Sequence, residues 1–242
     1  MQRLLAAAGL GSRRGCEELV RQGRVSINGR RASLGALAGP DDVVLCDGKP
    51  LPAPRRPAYI LLHKPPGYVV TRHDPAGRPT VMDLVPRRLR VGVFPVGRLD
   101  LPSEGLLLLT NDGELANRLL HPRYGVTKIY LVWVAGSPSP AIADRAAAGV
   151  RLADGVVKPK IRLLSRWTGG GLLEVALREG KKREVRRIGE ALGLRVVRLK
   201  RVAFGPLRLG KLARGRTRTL SPAEISSLRQ ATGLDGTDRG GP

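Results

Sequence analysis

The sequence predicts an α+β protein, with a small N-terminal αα-hairpin domain and a larger domain on a mixed, largely antiparallel sheet flanked by helices. The boundary is set by residues 49–57, which read Lys-Pro-Leu-Pro-Ala-Pro-Arg-Arg-Pro. Because proline cannot donate a backbone hydrogen bond and resists helix, this segment is predicted to be an extended linker. Beyond it, strand-like segments outnumber helix-like ones and turn signals recur between them. We expect domains at residues 1–48 and 58–231, and a flexible, Gly-rich tail at residues 232–242.

The N-terminal domain is predicted to contain two short helices followed by a hairpin. A helix over residues 3–8 ends at glycines, and Ser12 can cap a second helix over residues 13–22. An Asn-Gly pair at residues 28–29, between alternating apolar and polar residues, is a strong signal for a tight turn. A last short strand is predicted over residues 42–46.

The larger domain is predicted to alternate strands and helices. Four consecutive leucines indicate a short buried strand over residues 105–110, and the Asn-Asp pair after it can cap a helix over residues 114–121. A second helix is predicted over residues 184–192, where apolar residues fall on one face. The other predicted strands are residues 59–63, 128–135, 172–177 and 196–202.

The chain is strongly basic, with 43 Lys and Arg against 20 Asp and Glu and a formal net charge of +23. A protein this basic usually binds a polyanion, and nucleic acid is the first candidate. Residues 195–218 contain nine Lys or Arg and no acidic residue, which suits neutralisation of phosphates. Aromatic residues make up only 3%, so a surface that stacks many bases is not expected.

The composition also excludes several classes of protein. The longest uncharged run, residues 129–143, is interrupted by glycine and proline and is too short for a membrane helix. The two cysteines, Cys16 and Cys46, give neither a disulfide framework nor a metal-binding pair, and the histidines show no ligand spacing. We expect a cytoplasmic protein without a metal, a membrane contact or a signal peptide.

A charged loop directly before the leucine-rich strand is the first candidate for chemistry. Residues 97–100 read Gly-Arg-Leu-Asp, and an aspartate at such a junction can face a cleft while the sheet holds its backbone. An ionised carboxylate in a cleft needs a cation nearby, and Arg98 is two residues away. From spacing alone, however, a turn residue that closes the loop is the commoner explanation of Asp100.

The wider motif resembles that of RNA pseudouridine synthases, most closely the branch that modifies single uridines in ribosomal RNA. Residues 97–100 are followed, at residues 103–115, by Ser-Glu-Gly-Leu-Leu-Leu-Leu-Thr-Asn-Asp-Gly-Glu-Leu. The resemblance spans about residues 58 to 220, and thus most of the chain. Further segments that fit this branch, in family order, are residues 62–67, 77–81, 128–132, 179–187 and 199–207.

The N-terminal domain resembles an RNA-binding module of the type found in ribosomal protein S4. The most specific segments are Gly-Leu-Gly-Ser-Arg-Arg at residues 9–14 and Gly-Arg-Val-Ser-Ile-Asn-Gly at residues 23–29. The resemblance implies that Arg13 and Arg14 contact RNA. The alternative is a basic helical hairpin whose arginines are merely solvated.

The resemblance also implies roles for residues of the larger domain. Asp100 would be the essential catalytic carboxylate, and Tyr130 the tyrosine that stacks on the flipped base and assists proton removal from carbon five. Arg186 matches the basic residue that pairs with the aspartate, although Arg186 and Arg187 both flank the apolar face of their helix. Leu207 matches an apolar residue that lines the pocket. Whether Asp100 attacks a carbon or removes a sugar proton stays open.

Contacts to substrate RNA are expected from a set of basic residues, Lys64, Arg98, Lys182, Arg187, Lys200 and Arg201. The chain departs from the family at Pro102, where a polar or charged residue is more frequent, and at Thr127, where an acidic residue often precedes Lys-x-Tyr. Neither departure removes a catalytic group, so both bear on local geometry.

The expected function is isomerisation of a specific uridine to pseudouridine in ribosomal RNA, and the leucine-rich motif favours large-subunit (23S) RNA. No cofactor is expected, because isomerisation consumes nothing. The expected partner of this monomer is ribosomal RNA or a pre-ribosomal particle. The alternatives are the same reaction on small-subunit (16S) RNA and a ribosome-associated RNA-binding protein without catalysis. A hydrolase would need a second placed carboxylate, for which Glu104 and Asp112 are available.

Overall fold

The computed structural model describes residues 1–53 and 55–235. The chain divides into two compact units, Met1–Pro57 and Ala58–Pro242. The predicted α+β class, with a mixed and mostly antiparallel sheet, is confirmed. Within the described residues, no helix is long and apolar enough to cross a membrane.

The N-terminal unit places its two helices against a small sheet. Ser12 caps the second helix as predicted, since its Oγ accepts a hydrogen bond from the Gly15 amide at 3.1 Å. Asn28 and Gly29 have φ values of 49° and 78°, as a hairpin turn of this type requires. The elements are α1 Gln2–Ala7, α2 Arg13–Arg21, β1 Val25–Ile27, β2 Arg30–Arg31, β3 Val44–Cys46 and β4 Lys49–Pro50, with strand order β2-β1-β3-β4.

The proline-rich segment starts later than predicted. Lys49 and Pro50, assigned to the linker, form the edge strand β4 and pair with β3. An edge strand tolerates proline because the missing N–H is not needed for pairing on its outer side.

The C-terminal unit is built on one large sheet and a separate hairpin of β9 and β10. Its helices are α3 Gly113–Leu120, α4 Ile142–Ala148, α5 Glu184–Ala191 and α6 Pro222–Ala231. Its strands are β5 Tyr59–Lys64, β6 Phe94–Pro95, β7 Glu104–Thr110, β8 Lys128–Ala135, β9 Val150–Leu152, β10 Gly155–Val157, β11 Lys160–Trp167, β12 Gly170–Leu177, β13 Arg195–Phe204, β14 Leu207–Arg208 and β15 Thr217–Thr219.

The large sheet has the order β11-β12-β8-β13-β7-β5-β15, with β6 and β14 added at β7 and β13. Every residue of β5 and β7 is buried, because apolar layers cover both faces at this point. One layer contains residues of α4 and α5, and the other contains residues of α3 and α6. The pairing of β7 with β13 is parallel.

Gly105 allows this parallel pair to approach closely. Its φ is +114°, and a Cβ at this position would lie 2.2 Å from the carbonyl oxygen of Arg201. A side chain at residue 105 would therefore push β7 away from β13. The contact fixes the loop before β7 against the strand that carries Arg201.

Helix α6 and the residues after it differ from expectation. The helix was not predicted, although Ser221 and Glu224 form a capping box at its start. Thr232, expected in a flexible tail, is 1% exposed, and its hydroxyl donates to the carbonyl of Leu228 at 3.0 Å. The tail prediction is therefore wrong at this residue, and residues 236–242 lie outside the described part of the chain.

Candidate active site

Asp100 lies half-buried in the loop between β6 and β7. Its carbonyl oxygen accepts hydrogen bonds from the amide of Ser103 at 3.0 Å and from Nζ of Lys64 at 3.2 Å. Both bonds involve the backbone, so the carboxylate is positioned by the loop and left available for chemistry.

Lys64, at the end of β5, binds the backbone of this loop through its ammonium group. The side chain is fully buried, and burial lowers the pKa of Lys64 to about 8, while the charges of Asp100 and Glu104 oppose that shift. The expected contact of Lys64 with RNA is therefore corrected, because its ammonium group is already engaged. Its Nζ donates to four carbonyl oxygens at 2.7 to 3.3 Å, those of Pro65, Asp100, Leu101 and Ser103.

The variant Lys64→Met tests this positioning role. It keeps most of the volume but removes the donor to these four carbonyl oxygens, of which the bond to Ser103 is buried. We expect the free energy of unfolding to fall by about 2 kcal/mol, because lost charged hydrogen bonds outweigh the relief of a buried charge. Displacement of the loop should lower kcat roughly tenfold or more. Urea unfolding and turnover measure both effects, and Lys49→Met, at an exposed lysine of β4, is the control.

A cavity of about 140 Å³, here called the base cavity, opens beside Asp100. Cavities of about 150 Å³ admit one six-membered ring, so this cavity suits a single base. Its charged lining residues within the described chain are Arg98, Asp100, Lys128, Lys181, Arg183, Glu184 and Arg201. Its larger apolar and aromatic lining residues are Leu99, Leu120, Tyr130, Leu177, Val185 and Leu199.

Tyr130 reaches the base cavity from the sheet. It lies on β8, opposite Val175 of β12 and Arg201 of β13. Alternate residues of β8 are buried, and Tyr130 belongs to the buried set with 7% exposure. The structure thus brings Tyr130 and Asp100, which are far apart in sequence, to the wall of one cavity.

The arginines near the start of α5 are placed differently from expectation. Arg186 Nη1 donates to the carbonyl of Val196 at 3.0 Å, and its Nε is buried without a partner. Among the described residues, no ion pair joins Arg186 to Asp100, and Arg186 does not line the base cavity. Arg183, the residue that precedes α5, lines it instead. The expected Arg186–Asp100 pair is not formed in this structure, because the Arg186 side chain is directed to β13.

Arg187 is engaged in a different ion pair. Its Nη1 and Nη2 donate to the two carboxylate oxygens of Asp154 at 2.6 and 3.2 Å. This pair raises the pKa of Arg187. The expected contact of Arg187 with RNA therefore competes with a bond inside the protein.

The alternation of β13 divides its basic residues between two faces of the sheet. Leu199 and Arg201 line the base cavity, and the intervening Lys200 is half-exposed on the other face. Arg201 is 3% exposed, and its Nε donates to the carbonyl of Leu106 at 2.8 Å. Arg201 was expected to contact RNA on the surface, and this expectation is corrected. Its guanidinium is buried in the wall of the base cavity.

Leu207 does not line the base cavity within the described chain. It is 1% exposed and packs with Phe204 in the apolar layer that contains α3 and α6. The expectation that Leu207 borders the substrate is corrected, because β14 folds back onto β13 as a hairpin and buries it there.

The other expected RNA contacts are exposed. Arg98 lies at the rim of the base cavity, and Lys182 lies in the loop before α5. Arg13 and Arg14 are exposed in the first turn of α2 in the N-terminal unit. These side chains are exposed to solvent and can contact the phosphates of RNA.

Both candidates for a second hydrolytic carboxylate have structural partners. Glu104 is 1% exposed, with Arg198 Nε at 2.5 Å and Arg214 Nη2 at 2.7 Å from its oxygens. Asp112 caps α3 and accepts a hydrogen bond from the hydroxyl of Tyr59 at 2.8 Å. Neither is among the described residues that line the base cavity, so the hydrolase alternative loses its support.

Sequence reasoning did not identify Lys128, Arg183 or Glu184 as cavity residues. Glu184 is buried with one oxygen unpartnered. Its burial, and then the neighbouring Glu179, raise the pKa of Glu184 well above its usual range, while the amide and the charge of Lys181 lower it. The available signal was a glutamate in the first turn of a helix that follows a motif loop.

Comparisons with known proteins agree with this geometry. The family described as RNA pseudouridylate synthase matches residues 58–191, and the S4 domain matches residues 2–44. An uncharacterized RNA pseudouridine synthase of Aquifex aeolicus is 45% identical over 238 residues, covering 97% of this chain and 95% of that protein. Ribosomal large subunit pseudouridine synthase B of Bacillus subtilis is 38% identical over 236 residues, covering 95% of each.

A solved structure is also similar over nearly the whole chain. The crystal structure of a pseudouridylate synthase has a TM-score of 0.69 and 28% identity, covering 94% of this chain and 98% of that one. The family matches more than half of the chain, and the relatives align along almost all of it. The protein is an enzyme that belongs to the RNA pseudouridine synthase family, with an S4 domain at its N-terminus.

Proposed function

We propose that this enzyme isomerises one uridine of large-subunit (23S) ribosomal RNA to pseudouridine, acting as a monomer in the cytoplasm. The observation that carries the proposal is a ring-sized cavity with Asp100 and Tyr130 in its wall. The choice of RNA is supported by relatives from Bacillus subtilis, Pseudomonas aeruginosa and Vibrio cholerae, each named ribosomal large subunit pseudouridine synthase B.

In this proposal the target uridine leaves the RNA stack and enters the base cavity, where the ring of Tyr130 contacts it. Asp100 acts on the nucleotide, and the bond from N1 of uracil to C1′ of ribose breaks. The freed uracil turns, C5 bonds to C1′, the proton on C5 leaves, and N1 gains a proton. Atoms and electrons balance within the nucleotide, so the reaction needs no cofactor.

The ionised form of Asp100 needs a cation when the cavity is closed by a base. We assign this role to Arg186, whose side chain must turn from the carbonyl of Val196 toward Asp100 when RNA binds. Arg183 and Lys128 add positive charge to the cavity wall.

The N-terminal unit is proposed to capture RNA through Arg13 and Arg14. Removal of residues 1–56 should leave the larger unit folded, because the boundary between the two compact units lies at residue 57. Turnover should fall mainly through a higher KM, and the salt dependence of RNA binding should become shallower by about one unit of log–log slope per lost phosphate contact. RNA affinity measured between ~50 and ~200 mM salt tests this expectation. An unchanged slope of log affinity against log salt would mean that this unit does not contact RNA.

The substrate is tested by mapping pseudouridines in ribosomal RNA from a strain that lacks the gene. Loss of one pseudouridine from 23S RNA, and its restoration by the purified enzyme on the same RNA, is the expected result. Loss from 16S RNA would replace the proposed substrate with the small-subunit alternative. An unchanged map in both RNAs, with RNA binding retained, would favour a non-catalytic binding protein.

A further inference from the structure

A second cavity, here called the side cavity, adjoins the base cavity and is larger, at about 480 Å³. The two share Leu177 at the end of β12. The loop that follows β12 lines both cavities, with Arg178 and Glu179 on one side and Lys181 and Arg183 on the other. The occupant of the side cavity therefore lies next to the occupant of the base cavity. Pockets that hold small ligands have volumes of roughly 300–1,000 Å³, so there is room for a nucleotide.

The side cavity has an apolar floor and a positively charged rim. The floor includes Val157 of β10 and Ala176 of β12. The rim consists of the exposed residues Lys158, Lys160 and Arg178, and within the described chain none of the three forms an ion pair with an acidic side chain.

The acidic residue in the described lining is Glu179, and its charge is compensated. Its Oε2 lies 3.2 Å from Nζ of Lys181. The cavity therefore presents net positive charge. Aromatic side chains are absent from the described lining, so phosphate, rather than a stacked base, is the group that the cavity recognises most strongly.

We propose that the side cavity binds the nucleotide that adjoins the target uridine in the RNA chain, with Lys158, Lys160 and Arg178 neutralising its phosphate. The inference rests on the proposed function, because it requires a polymeric RNA substrate. A uridine flipped into the base cavity stays joined to its neighbours, so one of them must lie within one phosphodiester of the cavity mouth. Binding that neighbour strengthens capture of the strand while the uridine is flipped into the base cavity.

The first test compares the double variant Lys158→Gln/Lys160→Gln with wild type on an RNA fragment that contains the target. Loss of charged hydrogen bonds to phosphate should raise KM roughly tenfold, and the log–log salt slope of binding should become shallower by about one to two. The single-turnover rate at saturating enzyme should change less than twofold. The variant Lys158→Arg/Lys160→Arg keeps the charge and should restore KM.

Arg87→Gln/Arg88→Gln is the matched control. It removes the same charge from two exposed residues that line neither cavity within the described chain. Its KM should stay within twofold of wild type. An equal rise of KM in both double variants would overturn the proposal, since general charge would then explain the effect.

The second test replaces single phosphates by uncharged methylphosphonates on either side of the target. In wild type, one of these substitutions should weaken binding roughly tenfold, and in Lys158→Gln/Lys160→Gln the same substitution should weaken it no further. Additive effects at both flanking positions would overturn the side-cavity proposal. A wild-type enzyme that forms no pseudouridine in any ribosomal RNA would instead overturn the proposed function, so the two failures are distinguishable.

Discussion

Asp100→Asn is expected to abolish pseudouridine formation, by a factor of at least roughly 10⁴ in single-turnover rate, while the enzyme binds ribosomal RNA within a few-fold of wild type. Asparagine has the same shape, and the bonds that fix the loop are made by the backbone carbonyl of Asp100 to Ser103 and Lys64. The substitution therefore removes the negative oxygen without moving the loop. Release of tritium from C5-labelled uridine measures the reaction directly.

The control for Asp100→Asn is Asp112→Asn, in a carboxylate that caps α3 and does not line the base cavity in the described chain. It should retain turnover and lose about 1 kcal/mol of stability at most, because asparagine also caps helices. Turnover of purified Asp100→Asn at the rate of Asp112→Asn, free of wild-type enzyme, would contradict the catalytic assignment.

Arg186→Lys is expected to lower the single-turnover rate at saturating enzyme by roughly 100-fold with the fold intact. Lysine keeps the positive charge but loses the planar fork that can hold a carboxylate by two parallel hydrogen bonds. Arg187→Lys should bind RNA slightly more weakly and react at nearly the wild-type rate, because Arg187 is paired with Asp154. Single-turnover rates of the two variants, measured side by side, decide between them.

Arg183→Lys completes this comparison, because Arg183 lines the base cavity. If Arg183→Lys is severely impaired and Arg186→Lys is not, the partner of Asp100 is the residue that precedes α5. An impaired Arg187→Lys would show that the assignment is wrong by one residue. Three variants with wild-type rates would end the ion-pair hypothesis.

Much of the local structure could be read from the residues themselves. The aromatic and β-branched content of residues 128–135 predicted β8 with its observed bounds, Lys128–Ala135. The leucine run predicted β7, and Ser12 predicted the start of α2. These features depend on residues within a few positions of one another, which is why spacing and capping patterns reveal them. A capping signal of the same kind, Ser221 followed by Glu224, marks the start of α6.

The catalytic motif was equally local. Gly-Arg-Leu-Asp followed by a buried strand is a contiguous pattern, and its resemblance to the family motif, not its spacing, marked Asp100 as the candidate carboxylate. The resemblance of residues 128–132 marked Tyr130 in the same way. The chemistry of the site could therefore be proposed from two short segments, whereas their meeting in one cavity rests on the pairing of β8, β13 and β7.

The role of a side chain that contacts residues far away in the sequence could be determined only from the tertiary structure. Lys64 reads as a surface cation, but the pairing of β5 with β7 buries it under carbonyls 36 to 39 residues away. Arg201 and Lys200 are neighbours in one basic run, yet the alternation of side chains along β13 places them on opposite faces of the sheet. The sequence alone shows which charged residues a strand contains. Whether each of them is buried, and on which face of the sheet it lies, depends on the register between strands that are far apart in the chain.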